Sequence, residues 1–266
     1  MTSTHMTSFN PSCRLCPRLS SFLDEVKARE PDYFARPVAP FGVDDPGLLI
    51  VGLAPGMHGA NRTGRPFTGD YAGELLYSTL HKFGFATSPQ PLDAAGWANP
   101  DLALVNCRIT NAVKCLPPEN KPETSEVVMC NRFLAHELAG LRSGAVVLAL
   151  GNVAHGAVLR ALGLKIKDFP FGHGARHVMC TPSPSFDKLR TGQASPAGGE
   201  GDSSPLTLAR QRNTLTPAPL PQAGEGSLVL YDSYHCSRYN TQTRRLTEAM
   251  FHAVFAAIKE NLPCPM

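Results

Sequence analysis

The chain has no run of about eighteen consecutive apolar residues, the minimum for a membrane-spanning helix. Its first residues, MTSTHMTSFNPSC, lack the basic stretch followed by an apolar stretch that marks a secretory leader. Both absences predict a cytoplasmic protein with no membrane partner. Charge of one sign is scarce as well, since 25 Lys and Arg against 22 Asp and Glu leave a formal +3. So slight a balance permits a nucleic-acid partner without demanding one. Neither GxxxxGKT/S nor GxGxxG occurs, which excludes the commonest phosphate-binding loops. What is present is hydrophobic bulk, 42% of 266 residues, ample for a core.

In a chain without a leader, eight cysteines argue against a disulfide framework, because reducing compartments keep thiols free for metals or chemistry. Four of them fall into two distant groups, Cys13 with Cys16 and Cys115 with Cys130. A CxxC turn presents two thiolates to one point, and the fold must then carry two more to it. Tetrahedral zinc and an iron-sulfur cluster both satisfy that spacing. Cys107, Cys180 and Cys236 sit among apolar or motif residues and read as buried small hydrophobes, and Cys264 lies in the tail.

Residues 185–226 differ from the rest, being rich in proline and glycine, with SPAGGEG and LPQAGEG as two degraded copies of one unit. Such a composition cannot bury enough apolar surface to offset its ordering entropy, and the segment reads as a disordered insert. It separates two β-like runs, Ala175 to Cys180 and Leu228 to Tyr231, that would otherwise form a hairpin. Replacing a turn by such a loop costs roughly 2 kcal/mol of closure entropy, which a folded domain survives. The expectation is one domain over residues 1–266 carrying this insert.

Elsewhere short apolar runs alternate with helical patterns. Leu48 to Leu53, Leu102 to Ile109 and Ala145 to Leu150 resemble strands covered on both faces. Asp70 to Phe83, Glu123 to Leu141, Val153 to Leu162 and Thr243 to Leu262 read as helices. That alternation predicts an α/β class fold, a three-layer α/β/α sandwich around a mainly parallel sheet.

In such folds ligands bind at the carboxyl ends of strands. The first strand runs into a loop with Gly52, Gly56 and Gly59, whose backbone can approach an anion while Arg62 and Arg65 add charge. His58, Asn61, Phe67 and Asp70 are left on that loop without a structural reason. The second strand leads to Asn111, able to donate to and accept from a nucleobase edge, or simply to cap a loop. The last strand ends in a compact tip containing His235, Ser237, Arg238, Tyr239 and Asn240.

Taken together, GLAPGMHGANRTGRPFTGD, TNAVKCLPPENKP and DSYHCSRYN resemble the uracil-DNA glycosylase superfamily, and within it the iron-sulfur branch called family 5 or type b. The likeness covers nearly all of the chain outside the insert. It implies a four-stranded parallel sheet and removal of uracil and other deaminated bases, such as hypoxanthine, from DNA without a covalent nucleophile. It further implies a 4Fe-4S cluster on Cys13, Cys16, Cys115 and Cys130, with zinc the alternative. Other branches carry Asp or Asn where Ala54 stands here. Asp70 then becomes the group that orients water, Asn111 the base reader and His235 the donor to the leaving base, with Phe67 as stacking platform.

By the same resemblance Gly52, Ala54, Pro55 and Gly56 border the base. His58 and Arg62 hold DNA with Ser237, Arg238, Tyr239 and Asn240, and Arg238 or Tyr239 fills the vacated stack. The partner is DNA, and the enzyme acts as a nucleoid-associated monomer. Two other readings are a family 4 enzyme, whose first motif usually carries an acidic residue at the position of Ala54, and a non-catalytic cysteine-cluster DNA-binding protein.

Overall fold

The computed structural model describes residues 8–180 and 227–262. The insert expected at 185–226, the Cys180 side chain and Cys264 lie outside the described residues. In chain order the elements are α1 (Pro17–Arg29), β1 (Phe41–Gly42), β2 (Leu48–Gly52), α2 (Ala60–Thr63), α3 (Tyr71–Lys82) and β3 (Cys107–Asn111). There follow α4 (Thr124–Ala139), β4 (Val146–Leu150), α5 (Asn152–Ala161), β5 (Arg176–Cys180), β6 (Ser227–Ser233), α6 (Arg238–Gln242) and α7 (Glu248–Asn261).

The strands form one sheet in the order β1-β3-β2-β4-β6-β5. Its four inner strands are parallel, as expected. β1 and β5 add antiparallel edges, so the sheet is wider than four strands. β5 and β6 pair as the expected hairpin partners, with Cys180 opposite Ser227.

Strand alternation sorts the core into two layers, because successive side chains point to opposite faces. Leu49, Val51, Val147, Ala149, Leu228 and Leu230 pack with Leu19 and Leu23 of α1, Phe133 of α4 and Val158 of α5. Leu48, Ile50, Val146, Leu148, Val229 and Tyr231 pack with Leu76 of α3 and Phe251 of α7. Ile50 and Leu148 are fully buried. Burial of one such side chain contributes roughly 1.5–3 kcal/mol. This is the three-layer sandwich.

Three boundaries depart from the sequence pattern. The strand expected over Leu102 to Ile109 begins only at Cys107. Asn106 takes a left-handed φ of 51°, and its Oδ1 accepts from Gly47 N at 2.7 Å, which breaks the run just before it. The last helix is not continuous from Thr243: Arg244 is left-handed, and α7 starts anew where the Thr247 side chain accepts from Met250 N. α1 was not marked by the motifs. Its start follows from Pro17 in the first helical turn, and Arg18 binds Glu126 at 2.8 Å, fastening α1 to α4.

Candidate active site

A cavity of about 760 Å³ opens beyond the carboxyl ends of β2, β3 and β6. Asn111, the last residue of β3, reaches into it with only 3% of its surface exposed. Its Oδ1 is buried and accepts no hydrogen bond among the described residues. Such an orphan is costly, on the order of 1–3 kcal/mol, unless something fills it. Gly52 makes the arrangement possible, since a Cβ there would lie 2.4 Å from Asn111 Oδ1 and 2.6 Å from the Phe67 ring.

Phe67 is buried and holds a left-handed φ of 54°. That strain is held from two sides. Tyr77 Oη donates to Pro66 O at 2.9 Å, and Gly73 leaves room where a Cβ would meet Phe67 O at 1.8 Å. The ring stacks on His235 with centroids 5.8 Å apart and an angle of 26°. His235 retains some exposure toward the pocket, yet the protein around it desolvates the ring and pushes its pKa down to about 4. The imidazole is therefore neutral at physiological pH. Asn240 Nδ2 donates to His235 O at 2.8 Å and fixes the loop.

Asp70 has a double position. Its Oδ1 accepts from Gly73 N at 2.9 Å as the N-cap of α3, a structural role the sequence reading does not assign it. Its Oδ2 faces Gly59, where a Cβ would approach to 2.7 Å. Burial raises the pKa of this carboxyl above the usual carboxylate range, against the lowering effect of the Gly73 and Ala72 amides.

The expected residues sort themselves by depth. Ala54, Gly56, His58, Phe67, Asp70, Asn111, His235, Ser237 and Arg238 all line the cavity, while Gly52 and Pro55 are buried beside it. Arg62 points elsewhere: it donates to His58 O at 3.2 Å and Gly96 O at 2.6 Å, and lies 5.3 Å from the Trp97 ring. Its charge ties the loop to the 93–99 turn. Arg238 rests over Tyr71 at 5.7 Å, and Tyr239 stands 70% exposed. Ser237 caps α6.

Leu53, Met57, Tyr71 and Asn120 also line the cavity, although the sequence reading assigns them no role of their own. Asn120 follows Glu119 in a consecutive pair of left-handed residues, at φ of 56° and 54°. The proline-flanked Glu-Asn-Lys turn was its only signal, because Asn tolerates that conformation.

Cys13, Cys16, Cys115 and Cys130 line a second, smaller cavity between the start of α1, the end of β3 and α4. Lys114 N donates to Cys130 Sγ at 3.3 Å. Burial pushes the Cys130 thiol up to about 11 and raises Cys115 and Cys16 as well, with neighbouring thiols adding to the shift. The Lys114 ammonium is itself buried against Glu137 at 2.6 Å and Thr110. Cys107 and Cys236 are fully buried, as their apolar neighbours suggested. Among the described residues no helix is long and apolar enough to cross a membrane.

A mainly parallel sheet with a pocket at its carboxyl ends, lined by an amide, a phenyl ring, an imidazole and a carboxylate, defines an α/β protein with a concave polar and aromatic site. The model of the family described as the uracil DNA glycosylase superfamily matches residues 39–259, and the chain belongs to that superfamily. Its similarity runs to the type-5 group. The Type-5 uracil-DNA glycosylase of Thermus thermophilus is 39% identical over 254 residues, 93% of each chain. That of Mycobacterium leprae is 40% identical over 201 residues, 70% of this chain and 86% of the relative. A Type-4 uracil-DNA glycosylase of Pyrobaculum aerophilum is 32% identical over 118 residues, 44% of this chain and 50% of the relative. The type-5 likeness therefore reaches the whole site, and the type-4 likeness less than half the chain.

Proposed function

We propose that the protein is a monofunctional uracil-DNA glycosylase that takes uracil, and other deaminated bases such as hypoxanthine, out of DNA and leaves an abasic site. The observation that carries this is the buried Oδ1 of Asn111, which accepts no hydrogen bond among the described residues, beside the Phe67 ring at the pocket floor. An unsatisfied acceptor next to an aromatic face fits a planar base bearing an N–H on its edge. Uracil presents such an N–H where cytosine does not.

A base inside a duplex cannot reach that floor, so the nucleotide must be turned out of the stack. Phe67 then stacks on the base and Asn111 reads its edge. As the bond between base and sugar breaks, negative charge grows on the base and positive charge on the sugar. The neutral His235 N–H donates to the base oxygen where that charge collects. Asp70 orients water toward the sugar carbon, stabilises its positive character and takes the water's proton as the new C–O bond forms, while the departing base anion takes up a proton from solvent. Ala54 supplies no such group, and Asp70 is the nearest acidic substitute.

The rim would hold the strand. Tyr239, exposed at the head of α6, suits the wedge that replaces the displaced base, with Arg238, Ser237, Asn240 and His58 along the backbone. Arg62 is better placed to brace the loop than to bind phosphate, given its contacts with Gly96 and Trp97.

The four-cysteine cavity fits a 4Fe-4S cluster in its donor chemistry. Four thiols with an amide donor to one sulfur are the expected surroundings. A single tetrahedral zinc could take the same four thiolates, and the resemblance to the iron-sulfur branch is what favours the cluster. A cluster held by Cys13, Cys16, Cys115 and Cys130 would supply structure, tying the segment before α1 to α4 and to the turn after β3, close to Asn111. We further read the protein as a nucleoid-associated cytoplasmic monomer, one domain with its insert at 185–226.

The test is incubation with a duplex bearing one uracil, followed by alkaline cleavage and detection of free uracil. Released base supports the reading. Cluster-dependent DNA binding with no free uracil would support the non-catalytic alternative instead.

A further inference from the structure

Beneath the His235 tip lies a buried polar group that the chemistry above does not use. Asp232, on β6, is fully buried, and so is His155 of α5. His155 Nδ1 lies 2.8 Å from Asp232 Oδ1 and its Nε2 2.8 Å from Phe169 O. Both partners are oxygens that accept. A neutral imidazole has one N–H, so satisfying both contacts requires protons on both nitrogens. Asp232 Oδ2 is met in turn by His177 Nε2 at 3.3 Å and Gly172 N at 3.4 Å, which favours the ionised carboxylate.

From this platform the catalytic loop departs. Gly174 N donates to Asp232 O at 2.8 Å, Asp232 N to Ala175 O at 3.0 Å, and Gly151 N to Ser233 O at 2.8 Å. Tyr234 N donates to His173 Nδ1 at 3.3 Å, and His173 stacks on Tyr234 with centroids 5.1 Å apart. The 166–174 strap, β5 and α5 thus converge on the last residues of β6, immediately before His235.

We infer that His155 is a positioning residue for His235: held as an imidazolium against Asp232, it locks the 166–174 strap to the end of β6 and so sets where the His235 ring stands. The inference rests on the glycosylase reading only for its kinetic arm. Desolvation by burial lowers the His155 pKa, but the Asp232 hydrogen bond, the Asp232 charge and the Phe169 carbonyl together outweigh it and raise the pKa above the ordinary histidine value. The sign follows: below that ordinary value the pair contributes fully, and its contribution is lost as pH rises through the raised one. The groups facing His155 are Asp232 on β6, His177 on β5 with its ring 5.7 Å away, and Phe169 O and Phe171 on the strap. Lys167 and Asp168 of the strap, and Lys165 just before it, are exposed.

The decisive probe is nitrogen-15 NMR of histidine-labelled full-length protein, which needs no activity. At pH 7.5 the His155 ring is expected to carry protons on both nitrogens. One proton only, or a divalent metal ion bound by His155, His177 and Asp232 in purified protein, would overturn the inference. The kinetic arm compares wild type with Asp232→Asn and His155→Gln. Each should lower kcat for base release about tenfold with KM within about twofold, and each should abolish the alkaline limb of the wild-type kcat profile. An unchanged limb in a folded variant overturns the positioning role. If neither variant folds, the wild-type NMR result decides. A wild type that releases no uracil while showing the doubly protonated ring would sink the glycosylase reading and leave the ion pair standing.

Discussion

The floor and the rim of the pocket are built on opposite terms. At the floor, Asn111, Phe67 and His235 are packed into place, and the protein sustains an orphaned acceptor, a left-handed phenylalanine and a desolvated imidazole there. At the rim, His58, Arg238 and Tyr239 are exposed and supported by little more than one neighbour each. The contrast teaches where to look for chemistry: unfavourable local terms persist where the fold over-determines them, and that is the mark of a working site. Rim residues, free of such strain, suit a strand held by many small contacts.

Changes at the floor should therefore strike turnover and spare binding. Asp70→Asn is expected to cost the most, a hundredfold or more, on the order expected for a group acting in the transition state. Asn preserves the N-cap of α3, whereas Asp70→Ala would also remove about 1 kcal/mol of helix stability and blur the result. Single-turnover cleavage with a filter-binding control separates the two effects. Unchanged turnover in Asp70→Asn would move the water-orienting role elsewhere. His235→Ala follows, at about a hundredfold in kcat, as for loss of one placed donor.

The depressed pKa of His235 sharpens the floor further. Its folded value near 4 lies below the ordinary 6.5, so the unfolded chain binds more protons between the two. Stability from this group is present above about pH 6.5 and falls as pH drops toward 4. Thermal melts of wild type against His235→Phe across that window should show the wild type losing more. Parallel curves would mean that the ring is solvated.

At the rim the expected effects are smaller. Tyr239→Ala should weaken duplex binding severalfold, by roughly the stacking of one base on an aromatic ring, and leave kcat on single-stranded uracil DNA nearly unchanged. Equal loss on both substrates would place Tyr239 in the floor's chemistry. The smallest effect is expected from deleting residues 185–226. β5 and β6 pair directly with Cys180 opposite Ser227, so a short turn can join them. Activity equal to wild type is expected, and a large loss would give the insert a role in the enzyme.

The apolar runs of β2 and β4 were legible because both faces of a central parallel strand are buried, leaving no polar residue to confuse the pattern. The strand at β3 was displaced because Leu102 and Leu104 are buried outside the sheet, and burial alone does not distinguish the two settings. The site was legible where motif and chemistry agreed, as at Asp70, Asn111 and His235, all of which the fold brings to one cavity. Arg62 was less legible, because a cation near a glycine loop suits phosphate on paper, while its contacts with His58 O, Gly96 O and the Trp97 ring brace the loop. The His155 and Asp232 pairing had no local signal, since those residues lie far apart in sequence and meet only through α5 and β6.

In the proposed function Asn111 holds an acceptor open for the edge of a turned-out base. The most direct measurement is single-turnover release of free uracil from a uracil-bearing duplex by wild type and Asn111→Ala, with duplex affinity measured alongside. Release by the wild type, falling at least tenfold in the variant at equal affinity, is the predicted result. Equal release by both proteins would contradict the account.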